Sequence, residues 1–269
     1  MTDPHAGQPV LTAGLPLAEA EAAMVLVHGR GASAEDLLGL GRELRHPGFA
    51  YLAPQAAPIG GWPAWYPKSF LEPLAENEPW LSSALARIAE VLRSVAERGP
   101  GFARTVLLGF SQGACLSLEY AARNPERYGA VVGLTGGLLG PSGHRFDLKG
   151  DLAGTPVLLA AGDPDPHVPW VRVEETARVF ESMGAEVVLR RYPGMAHTVN
   201  EEELELTREL MRRVVEEAPP RRDLEDLESE ERRPSKPYRT GGWDLGLPRV
   251  SSLDDVSEAL GKAEEEDLD

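Results

Sequence analysis

Near the middle of the chain, Gly109-Phe110-Ser111-Gln112-Gly113 sets a serine between two glycines, directly after the apolar run 105–110 and directly before a helical pattern. A serine hydroxyl becomes a useful nucleophile only with a base to take its proton and a carboxylate to orient that base. A nucleophile on a sharp strand-to-helix turn has strained backbone angles, and flanking glycines leave space where a Cβ would strike neighbouring chain. The pattern therefore predicts a nucleophile elbow, with Ser111 at the carboxyl end of a sheet and beside the positive end of a helix.

On such a frame the chain order is serine, then acid, then histidine, each at the end of a strand. After the apolar run 157–161 comes Gly162-Asp163-Pro164-Asp165-Pro166-His167-Val168-Pro169, and after 187–192 comes Pro193-Gly194-Met195-Ala196-His197-Thr198. His197 is the candidate base, and Asp163 and Asp165 are both candidates for the acid. His167 lies too near Asp165 in sequence to be its partner and reads as a loop residue. The alternation of Asp163, Asp165 and His167 resembles a ligand cluster, but the intervening prolines restrict the turn and no second cluster accompanies it. No metal and no cofactor are expected. Cys115, one helical turn beyond Ser111, reads as core, and His5, His46 and His144 default to the surface.

These residues need a scaffold that brings strand ends together. Short apolar runs at 23–27, 49–53, 105–110, 130–134, 157–161 and 187–192 alternate with helical patterns at 34–44, 80–98, 112–123, 170–183 and 201–217. That alternation predicts βαβ units, a mostly parallel twisted sheet and helices on both of its faces. Ser33 and Asp36 form an S-x-x-D start for the first helix. Residues 54–79, rich in proline and aromatics, and 135–154, rich in glycine, read as long loops that could wall a pocket.

Four segments together, VHGRGAS at 27–33, GFSQGA at 109–114, GDPDPHVP at 162–169 and GMAHTV at 194–199, resemble the carboxylesterase/acyl-protein thioesterase family of α/β-hydrolases, also called phospholipase/carboxylesterase, over residues 20–217. The resemblance implies that Ser111 is the nucleophile, Asp165 the orienting acid and His197 the base. Asp163 is then left to cap its turn. The oxyanion hole would use the backbone N–H of Gln112 and, by the same resemblance, that of Arg30, with the Arg30 side chain directed either to the pocket mouth or to solvent. His28 would brace that loop. Trp62, Trp65 and Tyr66 fall where related enzymes form one side of the acyl-binding cleft, and Met195 beside His197 would add an adaptable wall.

The implied activity is hydrolysis of small to medium carboxylic esters or thioesters through an acyl-serine intermediate, on a small-molecule partner. The competing class is a non-catalytic hydrolase-fold protein that binds a small molecule or a partner, which a missing triad member would have favoured. Composition predicts a folded body with a real core: 42% hydrophobic and 26% charged residues exclude a wholly disordered chain. A formal charge of −16 disfavours nucleic acid and anionic membrane surfaces, and a single cysteine excludes an internal disulfide. Without a signal-like start or an apolar span, the expected location is cytoplasmic, with no membrane insertion. The domain boundary is placed at 218. Residues 219–269 read as an acidic tail in which Ser252, Leu253, Val256 and Leu260 pattern a short amphipathic helix, expected to dock with Trp243 and Leu245 on its own domain or, in a homodimer, on a second copy.

Overall fold

The computed structural model describes residues 3–217, and the tail expectations fall outside the described residues. Seven strands form one sheet: β1 (Val10–Gly14), β2 (Ala22–Val27), β3 (Phe49–Pro54), β6 (Thr105–Phe110), β7 (Ala130–Leu134), β8 (Pro156–Asp163) and β9 (Glu186–Pro193). They lie in the order β1-β3-β2-β6-β7-β8-β9, and every pairing is parallel except β1 with β3. A short antiparallel ribbon, β4 (Pro58–Ile59) with β5 (Trp62–Pro63), occupies the proline-rich segment.

Parallel strands covered on both faces are apolar throughout, which is why β2, β3 and β7 are buried at every position. Six of the seven sheet strands match the apolar runs of the sequence. The seventh, β1, is an antiparallel edge strand with alternating exposure, so it lacks the apolar run that marks the others. Five helices cover the sheet: α1 (Ala34–Glu43), α2 (Trp80–Arg98), α3 (Gln112–Arg123), α4 (Trp170–Ser182) and α5 (Glu201–Glu217). On one face Ile88 of α2, Leu116 of α3 and Phe180 of α4 share a core with Val25, Leu107 and Val131. On the other, Leu37 of α1 and Met211 of α5 pack with Met24, Leu108 and Val132.

Caps set the helix starts. The Ser33 hydroxyl accepts from the Asp36 N–H, while the Asp36 carboxylate accepts from the Ser33 N–H at 2.8 Å. Asn200 and Glu203 make the same reciprocal pair at α5, at 3.0 and 2.7 Å. No helix among the described residues is long and apolar enough to cross a membrane.

Candidate active site

Between β6 and α3 the chain turns through Ser111 at φ 55° and ψ −120°, a left-handed conformation that costs a non-glycine residue about 1–3 kcal/mol and persists only where its surroundings dictate it. Those surroundings are backbone. A Cβ on Gly113 would lie 2.0 Å from the Val27 carbonyl oxygen, and one on Gly109 would lie 2.2 Å from that of Gly113. The Ser111 N–H donates to Leu134 at 3.0 Å and its carbonyl accepts from Cys115 at 3.0 Å, so the turn is tied to the neighbouring strand and to its own helix. Ser111 stands at the N-cap position of α3, yet its hydroxyl makes no capping bond. Its oxygen is left for other partners.

The partner is His197, whose Nε2 is 2.8 Å from Ser111 Oγ while its Nδ1 is 2.8 Å from Asp165 Oδ2. An ionised carboxylate only accepts, which places the ring proton on Nδ1 and leaves Nε2 as the acceptor for the serine hydroxyl. The other Asp165 oxygen accepts the N–H groups of His167 and Val168, each at 2.8 Å. Burial pushes the Asp165 carboxyl up, but those two N–H groups and the His197 ring outweigh it and hold the pKa below the ordinary carboxylate value. Phe110 and His167 flank the His197 ring, with centroids 5.2 and 4.9 Å away. Asp163 was expected to cap its turn through its side chain. Instead its carboxylate pairs with Arg191 of β9, and its carbonyl accepts from the Gly194 N–H at 2.8 Å, tying the end of β8 to the end of β9.

Arg30 and Gln112 line the same cleft as Ser111. Gln112 is the first residue of α3, where no helical acceptor exists. The Arg30 N–H has no acceptor among the described residues, and its loop is fixed on either side by Gly31 donating to Pro63 at 2.7 Å and Ala32 donating to Gly29 at 3.2 Å. His28 is fully buried beneath the loop: its Nε2 accepts from Ala56 at 3.0 Å, so the proton sits on Nδ1 and is donated to the Gly29 carbonyl at 2.8 Å. The Gln112 side chain accepts from the Trp65 N–H at 2.9 Å and donates to the Tyr66 carbonyl at 2.8 Å, clamping the aromatic segment to the elbow.

A cleft of about 410 Å³ opens at Ser111 and His197, with Tyr66, Phe70, Cys115 and Val168 among its walls. Of the four residues expected to contact substrate, only Tyr66 lines it. Trp65 is 0% exposed and donates its indole N–H to the His28 carbonyl at 2.8 Å, so its ring belongs to the scaffold of the loop. Trp62 sits on the β4–β5 ribbon, 68% exposed and away from the cleft lining. Met195 turns its sulfur to Asn200 Nδ2 at 3.0 Å and also stays outside the lining.

Two further expectations change. His5 is not at the surface: its ring accepts from Ala57 at 3.0 Å and meets the Trp65 carbonyl at 2.9 Å, so the amino-terminal segment braces the aromatic loop from below. His167, expected only as loop, lines the cleft. Its place beside Asp165 in sequence was the available signal. The Arg30 side chain is at the mouth, donating through one nitrogen to the carbonyls of Tyr66 and Lys68 at 2.7 and 2.9 Å. Burial raises the Cys115 thiol to about 12, so a thiolate is not available one turn below Ser111.

With this geometry in hand, comparison with known proteins is decisive at one point: the phospholipase/carboxylesterase family profile matches residues 15–214. The chain belongs to this family. A phospholipase/carboxylesterase from Dyadobacter fermentans is 39% identical and superimposes with a TM-score of 0.71, over 77% of this chain and 97% of that one. Esterase PE8 is 28% identical with a TM-score of 0.62, over 77% and 98% of the two chains. Acyl-protein thioesterase 1 of Gibberella zeae is 34% identical over 112 residues, 41% of this chain and 48% of that protein. The Saccharomyces cerevisiae protein of the same name is 28% identical over 149 residues, 53% and 65% of the two chains. The alignments thus span about half to two-thirds of these curated relatives.

Proposed function

We propose that the protein is a serine hydrolase that cleaves carboxylic esters or thioesters of small to medium acyl groups through an acyl-serine intermediate. The observation that carries this reading is the unbroken relay from Ser111 Oγ through His197 to Asp165, with 2.8 Å at each contact, opening on a cleft. Ser111 Oγ attacks the carbonyl carbon and its proton passes to His197 Nε2. Asp165 holds the imidazole in the required tautomer and stabilises its charged form.

As the carbonyl oxygen becomes negative, the N–H groups of Arg30 and Gln112 receive it; one such donor is worth roughly 3 kcal/mol to the transition state in comparable sites. His197 then gives its proton to the departing alkoxide or thiolate. A water activated by the same ring releases the acid and restores Ser111. Oxygen and sulfur esters follow the same course, and the relatives' names include both an esterase and thioesterases.

Purified protein assayed on p-nitrophenyl butyrate and on a butanoyl thioester tests the reading, together with labelling by a fluorophosphonate. Turnover and labelling that both vanish in Ser111→Ala are expected. A Ser111→Ala protein that retained wild-type turnover would refute the nucleophile, and a folded wild type that neither turned over nor labelled would mark a binding protein on a hydrolase frame.

A further inference from the structure

The cleft at Ser111 has a charge opposite to that of the chain around it. The whole sequence carries −16, yet Arg30, Lys68 and His167 line the cleft and no aspartate or glutamate does. Asp165 stands behind His197, engaged by the imidazole and by two N–H groups. Glu119, beneath the cleft, is paired with Arg123 and accepts from the Leu139 N–H at 3.0 Å.

Arg30 itself is held by backbone alone. One terminal nitrogen donates to the carbonyls of Tyr66 and Lys68, which orients the guanidinium at the mouth without neutralising it. No carboxylate among the described residues pairs with Arg30 or with Lys68. The backbone beneath Lys68 is fixed as well, its N–H donating to Asn77 Oδ1 at 2.8 Å. A guanidinium has five N–H donors in a planar fork suited to a carboxylate, and the two carbonyl bonds on one nitrogen leave the rest of the fork unused.

An acidic chain repels anions at long range, so a cationic cleft with no internal counter-charge is a local inversion of the field, and clefts concentrate such fields. We propose that Arg30 and Lys68 are specificity residues that select anionic substrates, namely esters or thioesters carrying a carboxylate near the scissile carbonyl. The inference rests on the hydrolase reading above and adds the charge class of the substrate. Arg30 serves twice in it: its backbone N–H faces the oxyanion while its side chain recognises the carboxylate, so binding of the anion also fixes the position of the carbonyl.

The test compares matched pairs differing by one charge. Monoethyl glutarate against ethyl 4-carbamoylbutanoate places the charge on the acyl side, and carboxymethyl butanoate against carbamoylmethyl butanoate places it on the leaving group. Proton release followed at constant pH gives kcat/KM for each. An advantage of about tenfold or more for the anionic member of at least one pair is expected, shrinking as salt is raised. Which pair shows it identifies the side of the carbonyl that lies toward Arg30.

Arg30→Gln should bring that ratio close to one, Arg30→Lys should restore part of it, and Lys68→Gln should reduce it. Because a ratio within each variant is read, loss of overall activity through a disturbed loop does not imitate the effect. Equal or better turnover of both neutral members would overturn the charge preference while leaving the hydrolase reading intact. A preference that survives Arg30→Gln and Lys68→Gln unchanged would overturn the assignment to these residues. No turnover of any of the four esters, with no fluorophosphonate labelling, would overturn the hydrolase reading and this one with it.

Discussion

The Trp65 indole N–H donates to the His28 carbonyl at 2.8 Å, joining the aromatic segment to the loop that presents the Arg30 N–H. An indole buried on every side and committed to a carbonyl works as a strut, and its loss would let that loop move. Trp65→Phe keeps most of the ring and deletes the donor. We expect kcat to fall by about tenfold, to a similar extent for acetyl and hexanoyl esters, with melting temperature lowered by the unpaired carbonyl. A rise in KM confined to the hexanoyl ester would instead make Trp65 a substrate contact. Parallel kinetics on the two esters decide it.

The two aspartates of the β8 turn have different partners, and their variants should separate accordingly. Asp165→Asn keeps the shape but permits the wrong His197 tautomer, a change expected to lower kcat by roughly 10³–10⁴-fold. Asp163→Asn only weakens a partly exposed pair with Arg191, worth about 1 kcal/mol or less, and should leave kcat within a few-fold of wild type. Steady-state kinetics of both variants on one ester settle the assignment; the reverse ranking would exchange the two roles.

Legibility in the sequence tracked the range of the interactions. The elbow was readable because strand, glycines, serine and helix are contiguous, and all six predicted sheet strands recur with boundaries shifted by at most a few residues. Ser111, Asp165 and His197 come together because parallel strands deliver their carboxyl ends to one edge of the sheet. The scaffold behind them was not readable. His5 meets Trp65 across 60 positions and Trp65 meets His28 across 37, and no local pattern marks either as buried and bonded. Tryptophans in a proline-rich loop read equally as pocket wall or as strut. The two here divided into one exposed on a ribbon and one sealed against the loop that follows β2.

Glu203 supplies a pH signature. It is buried in the first turn of α5, with one oxygen accepting from Asn200 and the other without a partner. Burial pushes its pKa up to about 7, the Asn200 N–H opposing this and Glu202 adding to it. Its folded-state value therefore lies above the ordinary 4.5, and the folded protein holds the extra proton between the two. The resulting stability is present below about pH 4.5 and is lost as pH rises through about 7. Glu203→Gln keeps an acceptor for the Asn200 N–H and removes the ionisation. Relative to wild type it should gain stability as pH is raised from 5 to 9, by up to about 3 kcal/mol. Denaturant melts at the two pH values test this, and an unchanged difference between the proteins would mean that Glu203 ionises in the fold without penalty.

The size of the cleft sets the last expectation. About 410 Å³ is at the low end for small-molecule sites, and Phe70 and Cys115 are buried among its walls. An acyl chain extending from Ser111 gains apolar contact with each added methylene until it reaches a wall, after which further carbons must leave the cleft or displace side chains. For uncharged p-nitrophenyl esters we therefore expect kcat/KM to climb from acetyl to a short or medium chain and then fall, with palmitoyl esters poor. Phe70→Leu removes part of one wall at modest cost to packing and should move the optimum toward longer chains, raising the octanoyl rate relative to the butanoyl rate. A wild-type rate still rising at palmitoyl would show that the cleft opens along a path not closed by these residues. An optimum unmoved by Phe70→Leu would place the limiting wall elsewhere, with Val168 as the next side chain to shorten.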